Sequence, residues 1–153
     1  MRILVISDSH GKFFEFREAI EKHKNVDLIF FLGDGKREYE DICDLYPDKK
    51  ILAVKGNCDF ISDLPSVNYI STEQGKILYT HGDCFSVKMG TQRLEEMARQ
   101  QGARLVLYGH THIKDARYLD GMYIFNPGSL GYDKSYGICD LEDSGIVMNH
   151  LKL

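Results

Sequence analysis

The chain has 153 residues, 43% of them hydrophobic, and a formal net charge of -4. That length predicts one domain spanning residues 1–153, with room for a sizeable core. The mild acidity disfavours sequence-independent nucleic-acid binding, which wants a basic face, and no apolar run approaches the roughly 18 residues of a membrane span.

The chain opens directly on a strand-like run, without a charged segment and cleavage site, which predicts no signal peptide and a cytoplasmic protein. None of Cys43, Cys58, Cys84 and Cys139 sits in a C-x-x-C pair, so neither a zinc knuckle nor a thioredoxin-type motif is expected. Free thiols in a reducing compartment are the expectation.

The first half alternates between two periodicities. Residues 3–6 form an apolar strand that runs into Ser7, Asp8, Ser9 and His10. Phe13, Phe16 and Ile20 then recur at helical spacing, with the helix ending near Asn25. Residues 27–32 are a second strand, running into Gly33-Asp34-Gly35. Ile42, Leu45 and Tyr46 mark a short helix stopped by Pro47. Residues 51–54 are a third strand, running into Gly56-Asn57-Cys58-Asp59. Strands alternating with helices predict a parallel arrangement.

The second half is richer in strands. Residues 67–71 and 76–80 flank Glu73-Gln74-Gly75, a hairpin signal, and the second of them runs into His81-Gly82-Asp83. Leu94, Met97 and Ala98 predict a helix over 91–101, ended by Gly102. Residues 104–108 are a strand leading into Gly109-His110-Thr111-His112. Residues 114–119 and 122–125 flank Asp120-Gly121, the favoured residues of a tight hairpin turn. Residues 137–141 and 146–151 flank another turn at 142–145. These are too many strands for one small doubly wound sheet. The prediction is an α/β fold with two mixed sheets packed face to face and helices outside.

Five of the apolar runs end at a turn carrying Asp, His or Asn. In open α/β sheets, sites form beyond the carboxyl ends of the strands. If these ends lie side by side, Asp8, His10, Asp34, Asn57, His81, His110 and His112 converge. Taken singly, each has a plainer explanation. Asp8 and Asp34 could be helix N-caps, Asn57 a turn residue, and a lone strand-end histidine is usually structural. Four of the six histidines at strand ends is not a chance pattern. The other two, His23 near a helix C-terminus and His150 in the last strand, are expected to be structural.

Imidazole and carboxylate together suit Mn, Fe, Zn, Co or Ni. Seven ligands are too many for one catalytic ion, which typically uses three and leaves a position open. They suit two ions sharing a carboxylate, about 3.5–4 Å apart, the arrangement that clamps an in-line displacement at phosphorus. Phosphate-loop, dinucleotide-loop and H-E-x-x-H patterns do not occur, and Gly128-Ser129-Leu130-Gly131 is one residue short of a nucleophile elbow.

Asp8-Ser9-His10, Gly33-Asp34, Gly56-Asn57-Cys58-Asp59, His81-Gly82 and Gly109-His110-Thr111-His112 together resemble the ordered blocks of the calcineurin-like metallophosphoesterases. Asn126-Pro127-Gly128-Ser129 is similar to a block of their short prokaryotic phosphodiesterase branch, which is related in fold to the retromer subunit. The resemblance spans residues 3 to about 140. It implies a four-layer sandwich, helices outside two sheets. It implies that Asp8, His10, Asp34 and His112 hold one metal ion, and that Asp34, Asn57, His81 and His110 hold the other, with Asp34 bridging. It also implies attack on phosphorus by a metal-bound hydroxide without a covalent enzyme intermediate.

Two positions depart from the wider family. Cys58 stands where many members have a histidine serving the leaving group, and Asp83 where some short relatives have a second histidine. Cys58 and Asp59 are the candidates for assisting catalysis from outside the ligand set. The expectation is a binuclear metal-dependent phosphodiesterase using two divalent transition-metal ions, Mn foremost. It has a small phosphoester substrate, no membrane partner, and a possible homo-oligomeric assembly. The rival is a non-catalytic interaction scaffold, a use of this fold among retromer-type relatives; a scaffold has no reason to keep the full ligand set.

Overall fold

A computed structural model describes all 153 residues. Strands β1 (Arg2–Ile6), β2 (Leu28–Phe31) and β3 (Ile51–Ala53) are joined by helices α1 (Phe13–Lys22) and α2 (Lys36–Leu45). A hairpin follows, β4 (Val67–Thr72) and β5 (Gly75–Thr80), then two short 3-10 turns and helix α3 (Gln92–Gln100). Strands β6 (Ala103–Leu107), β7 (Asp115–Leu119) and β8 (Met122–Asn126) come next, then helix α4 (Leu130–Asp133) and the long hairpin β9 (Ser135–Glu142) and β10 (Gly145–Lys152).

The strands make two five-stranded sheets, in the orders β10-β9-β1-β2-β3 and β4-β5-β6-β8-β7. In the first, β1, β2 and β3 are parallel and the closing hairpin is antiparallel. In the second, β5, β6 and β8 are parallel, with β4 and β7 antiparallel at the edges. Both sheets are therefore mixed.

Period-two alternation assigns the faces. Ile3 and Val5 of β1, with Phe30, meet Ile77, Leu105, Leu107 and Phe125 in the core between the sheets. Leu4 and Ile6 point the other way, onto Phe16, Ala19 and Ile20 of α1, Ile42 of α2 and Leu130 of α4. On the far side, Leu78, Val106 and Ile124 pack against Leu94 and Ala98 of α3. The layers run helices, sheet, sheet, helix, the architecture expected from the strand count. The β7–β8 turn has Asp120 and Gly121 both at positive φ, +49° and +86°, as a two-residue turn of this kind requires.

Some boundaries move. Helix α1 stops at Lys22, short of Asn25, and β9 begins at Ser135, two residues before the expected start. Helix α4 has no signature in the sequence: it has four residues, too few for an amphipathic period to register. All four cysteines are unpaired. His23 bonds the Tyr136 hydroxyl at 3.0 Å, and His150 bonds the Asn126 carbonyl at 2.7 Å. No helix is long and apolar enough to cross a membrane.

Candidate metal centre

The loops after β1, β2, β3, β5 and β6 meet beyond the carboxyl ends of these parallel strands. Backbone bonds tie them together: Asp8 N–H donates to Gly33 O at 2.9 Å, His10 N–H to Asp34 O at 3.0 Å, and Gly109 N–H to His81 O at 3.0 Å. Asp8 and His81 are wholly buried, and Asp34 nearly so.

Five of the seven expected ligands, Asp8, His10, Asp34, His110 and His112, sit at positive φ, between +43° and +66°. Such backbone costs on the order of 1–3 kcal/mol per residue and persists where surrounding structure holds it. Glycines leave the room. A Cβ on Gly56 would collide with the Asp34 carboxylate, and one on Gly109 with the Ser7 hydroxyl and the Asp8 carboxylate.

The donors fall into overlapping groups. Asp8, His10 and His112 place ligand atoms within 4.8 Å of one another, and so do Asp8, Asp34 and His81. Asp8 Oδ1 lies 3.0 Å from His112 Nε2 and 3.8 Å from His10 Nε2. Asp34 Oδ2 lies 3.5 Å from His81 Nε2 and 3.9 Å from His10 Nε2. His81 Nε2 is also 3.2 Å from Asn57 Oδ1 and 3.1 Å from His110 Nδ1. All seven expected ligands are thus in one cluster. Asp8 stands as centrally as Asp34: its Oδ1 also comes within 4.0 Å of His81 Nε2.

The chemistry of this donor set fits cations. His81 Nδ1 is 2.7 Å from the Leu32 carbonyl, a pure acceptor, so Nδ1 carries the hydrogen. In the neutral ring Nε2 then presents a lone pair to two oxygen acceptors, Asp34 Oδ2 and Asn57 Oδ1. Lone pairs buried against lone pairs are unfavourable unless a proton or a metal ion stands between them. Burial alone would lower the His81 pKa, but hydrogen bonding to Asp34 and the charges of Asp8 and Asp34 raise it. For Asp34, burial pushes upward, and His81 together with the Cys58 N–H outweighs it, holding the carboxyl well below the usual range. His110 is lowered, by burial first and then by the charge of His81.

The residues around the cluster have separable tasks. The Asp59 carboxylate accepts four backbone N–H groups: those of Asp34 and Gly56 on Oδ2, and of Gly35 and Lys36 on Oδ1, at 2.7–2.9 Å. It clamps the β2 and β3 loops together, which places it behind Asp34. Cys58 N–H donates to Asp34 Oδ1 at 2.8 Å, and its exposed thiol, with His10 and Asp34, forms a third group of close donor atoms. Burial, then hydrogen bonding to Asp34 and its charge, pushes that thiol up to about 11. Asp83 lies in a 3-10 turn, and its Oδ1 is buried without a hydrogen-bond partner.

Four supporting residues were not picked out singly from the sequence. Asn126 Nδ2 donates to Gly109 O and Thr111 Oγ1, holding the His110–His112 loop. Ser129 Oγ donates to Asp8 O. These two explain the Asn126-Pro127-Gly128-Ser129 block, which the resemblance had marked as a unit. Glu38, on a helix that looks like an ordinary charged surface helix, accepts from Ser9 Oγ and Gly11 N–H and fixes the His10 loop. Tyr132 stacks on His112 at 5.0 Å and 30°, and meets His10 edge-on at 5.3 Å; no sequence pattern marks it.

The calcineurin-like phosphoesterase superfamily domain matches residues 1–144. The probable metallophosphoesterase YsnB of Bacillus subtilis is 34% identical over 97% of this chain and 89% of its own. A phosphodiesterase of Methanocaldococcus jannaschii is 30% identical over 93% and 94% of the two chains. Vacuolar protein sorting-associated protein 29 of Schizosaccharomyces pombe is 34% identical over 84% and 72%. Among solved structures, a predicted phosphoesterase of Streptococcus pneumoniae superimposes with a TM-score of 0.88 at 29% identity, covering 99% of this chain and 88% of that one. With the fold and the cluster of carboxylates and imidazoles in agreement, the chain belongs to the calcineurin-like phosphoesterase superfamily.

Proposed function

We propose that this chain is a binuclear metal-dependent phosphodiesterase. The observation that carries the reading is the buried meeting of Asp34 Oδ2 and Asp8 Oδ1 with the Nε2 atoms of His10 and His81. Two divalent ions in such a cluster supply positive charge to phosphoryl oxygens and activate water at neutral pH. Asp8, His10, Asp34 and His112 are the residues for one ion; Asp34, Asn57, His81 and His110 are those for the other. Mn suits the donor set, as do Fe, Co, Ni and Zn.

The reaction is hydrolysis. A water oxygen bonds to phosphorus, the bond from phosphorus to the leaving oxygen breaks, and the proton shed by the water goes to the departing oxygen or, where that oxygen leaves as a stable anion, to solvent. The chain's part is to hold the reacting groups in line and to limit what can leave. Cys58 is a protic side chain beside the cluster, and a thiol is a poorer proton donor to a leaving oxygen than the histidine it replaces. Good leaving groups, which depart without a proton, are therefore the favoured substrates. The name of the M. jannaschii relative supports a diester over a monoester. Unpaired cysteines fit a reducing, cytoplasmic setting.

The scaffold reading has the S. pombe relative in its favour. Against it stands the intact ligand cluster with its strained backbone, which a purely structural protein has no need to maintain. The test is hydrolysis of bis(p-nitrophenyl) phosphate by chelator-stripped protein, with and without added Mn²⁺. Turnover that depends on the metal supports the enzyme; none at saturating Mn²⁺ supports the scaffold.

A further inference from the structure

The metal cluster opens into a groove of 380 Å³ whose walls change character along it. His10, Asp34 and Cys58 belong to both the cluster and the groove; Lys36, Arg37, Glu38, Glu40 and Phe60 are among its other lining residues. The volume lies in the range of small-molecule sites.

Phe60 is 82% exposed and its neighbour Ile61 is 96% exposed. Phe60 lines the groove, so its exposed ring borders the space that a substrate half would fill. The segment is braced at both ends. On one side Asp59 is pinned by its four backbone donors. On the other, Lys36 Nζ donates to Ile61 O at 2.8 Å. Ile61 is held there at φ +57°, a conformation foreign to a β-branched residue. The Phe60 backbone thus runs between two anchored neighbours.

The charges of the groove sort themselves. Glu38 is engaged by Ser9 and Gly11. Glu40 pairs with Lys36 at 3.4 Å. That leaves the Arg37 guanidinium, exposed and without a carboxylate partner, on the groove wall. A free guanidinium suits a phosphate, which it can grip with two parallel hydrogen bonds. An exposed aromatic face suits a planar ring.

We infer that this groove is the subsite for the half of the diester that keeps the scissile phosphate, and that this half is a nucleotide. The base stacks on Phe60, the second phosphate meets Arg37, and the scissile phosphate sits at the metal cluster. This rests on the phosphodiesterase reading of that cluster. A sugar phosphate would leave the Phe60 face unused, and an uncharged aryl alcohol would leave Arg37 unused.

Adenosine 3′,5′-bisphosphate and inorganic phosphate are the probes, each titrated by calorimetry into Mn²⁺-loaded wild type, Phe60→Ala and Arg37→Gln. Both substitutions are on the surface and leave the core untouched. The wild type is expected to bind the bisphosphate at least about tenfold more tightly than phosphate, the usual order for one stacked base. Each variant is expected to lose at least about fivefold for the bisphosphate and less than about twofold for phosphate. Equal affinity for the two probes in wild type, or equal losses for both probes in the variants, overturns the nucleotide subsite. The phosphodiesterase reading is checked separately, by bis(p-nitrophenyl) phosphate hydrolysis in the same wild-type preparation. Absence of that activity overturns the reading and, with it, the assignment of the groove to a substrate half, whatever the affinities.

Discussion

His81 Nε2 lies 3.5 Å from Asp34 Oδ2, while the other nitrogen of the ring is committed to the Leu32 carbonyl. In metal-free protein a proton on Nε2 is the group that can satisfy this contact, and the proton competes directly with a metal ion. His81 is raised above its ordinary 6.5 and Asp34 is held below its ordinary 3.8.

The sign of the pH dependence follows. The His81 contribution is fully present below pH 6.5 and fades as pH rises through the raised folded value. The Asp34 contribution is present above pH 3.8 and fades as pH falls through the depressed one. Chelator-stripped protein should therefore melt at progressively lower temperature as pH is raised from about 6 to about 9. Mn²⁺-loaded protein should not, so the gap between the two melting curves should widen with pH. A gap that is constant over this range contradicts the pairing.

Asp34→Asn should cost more activity than His112→Asn or Asn57→Ala. Asp34 Oδ2 faces both His81 and His10, so its loss disturbs both groups of ligands. Changes around a single metal typically cost about 10–100-fold, and Asp34→Asn should exceed that at saturating Mn²⁺. Near wild-type turnover in Asp34→Asn would show that the carboxylate is not shared. Asp8→Asn is the informative companion, because Asp8 Oδ1 approaches His10, His112 and His81.

Cys58 should set the preference for leaving groups. A well-placed proton donor contributes about 10²–10⁴-fold, and a thiol is a poorer donor than a histidine. Cys58→His should raise rates on alkyl diesters more than on aryl diesters. Measuring the aryl-to-alkyl rate ratio for wild type, Cys58→Ser and Cys58→His at fixed Mn²⁺ decides the matter. An unchanged ratio removes Cys58 from the chemistry and leaves it a packing residue.

Asp59 should behave as a positioning residue. Its carboxylate has four backbone donors to satisfy, and an unsatisfied buried donor costs about 1–3 kcal/mol. Asp59→Ala should therefore lower the melting temperature of the metal-free protein and weaken Mn²⁺ binding together. Loss of turnover with both of these unchanged would place Asp59 in the chemistry instead.

The strand ends were legible because apolar runs stop abruptly at Asp, His or Asn, and the parallel register brings those stops to one edge. The two-sheet architecture followed from hairpin signals such as Asp120-Gly121, whose turn chemistry is local. The supporting residues were far less legible. Glu38 and Tyr132 act across the fold, on Ser9 and Gly11 and on His112 and His10. Nothing within a few residues of either signals the partner. The central place of Asp8 was hidden for the same reason: spacing gives the ligands but not which carboxylate oxygen faces which imidazole. Likewise the sequence offers Asp59 only as a candidate for assisting catalysis from outside the ligand set, and its saturation by backbone donors is a tertiary fact.

Metal stoichiometry tests the central claim most directly. Chelator-stripped protein, reconstituted with Mn²⁺ and freed of excess, should retain close to two ions per folded chain by elemental analysis. Asp34→Asn should retain fewer. A saturated value of one or zero in folded wild type would contradict the binuclear account.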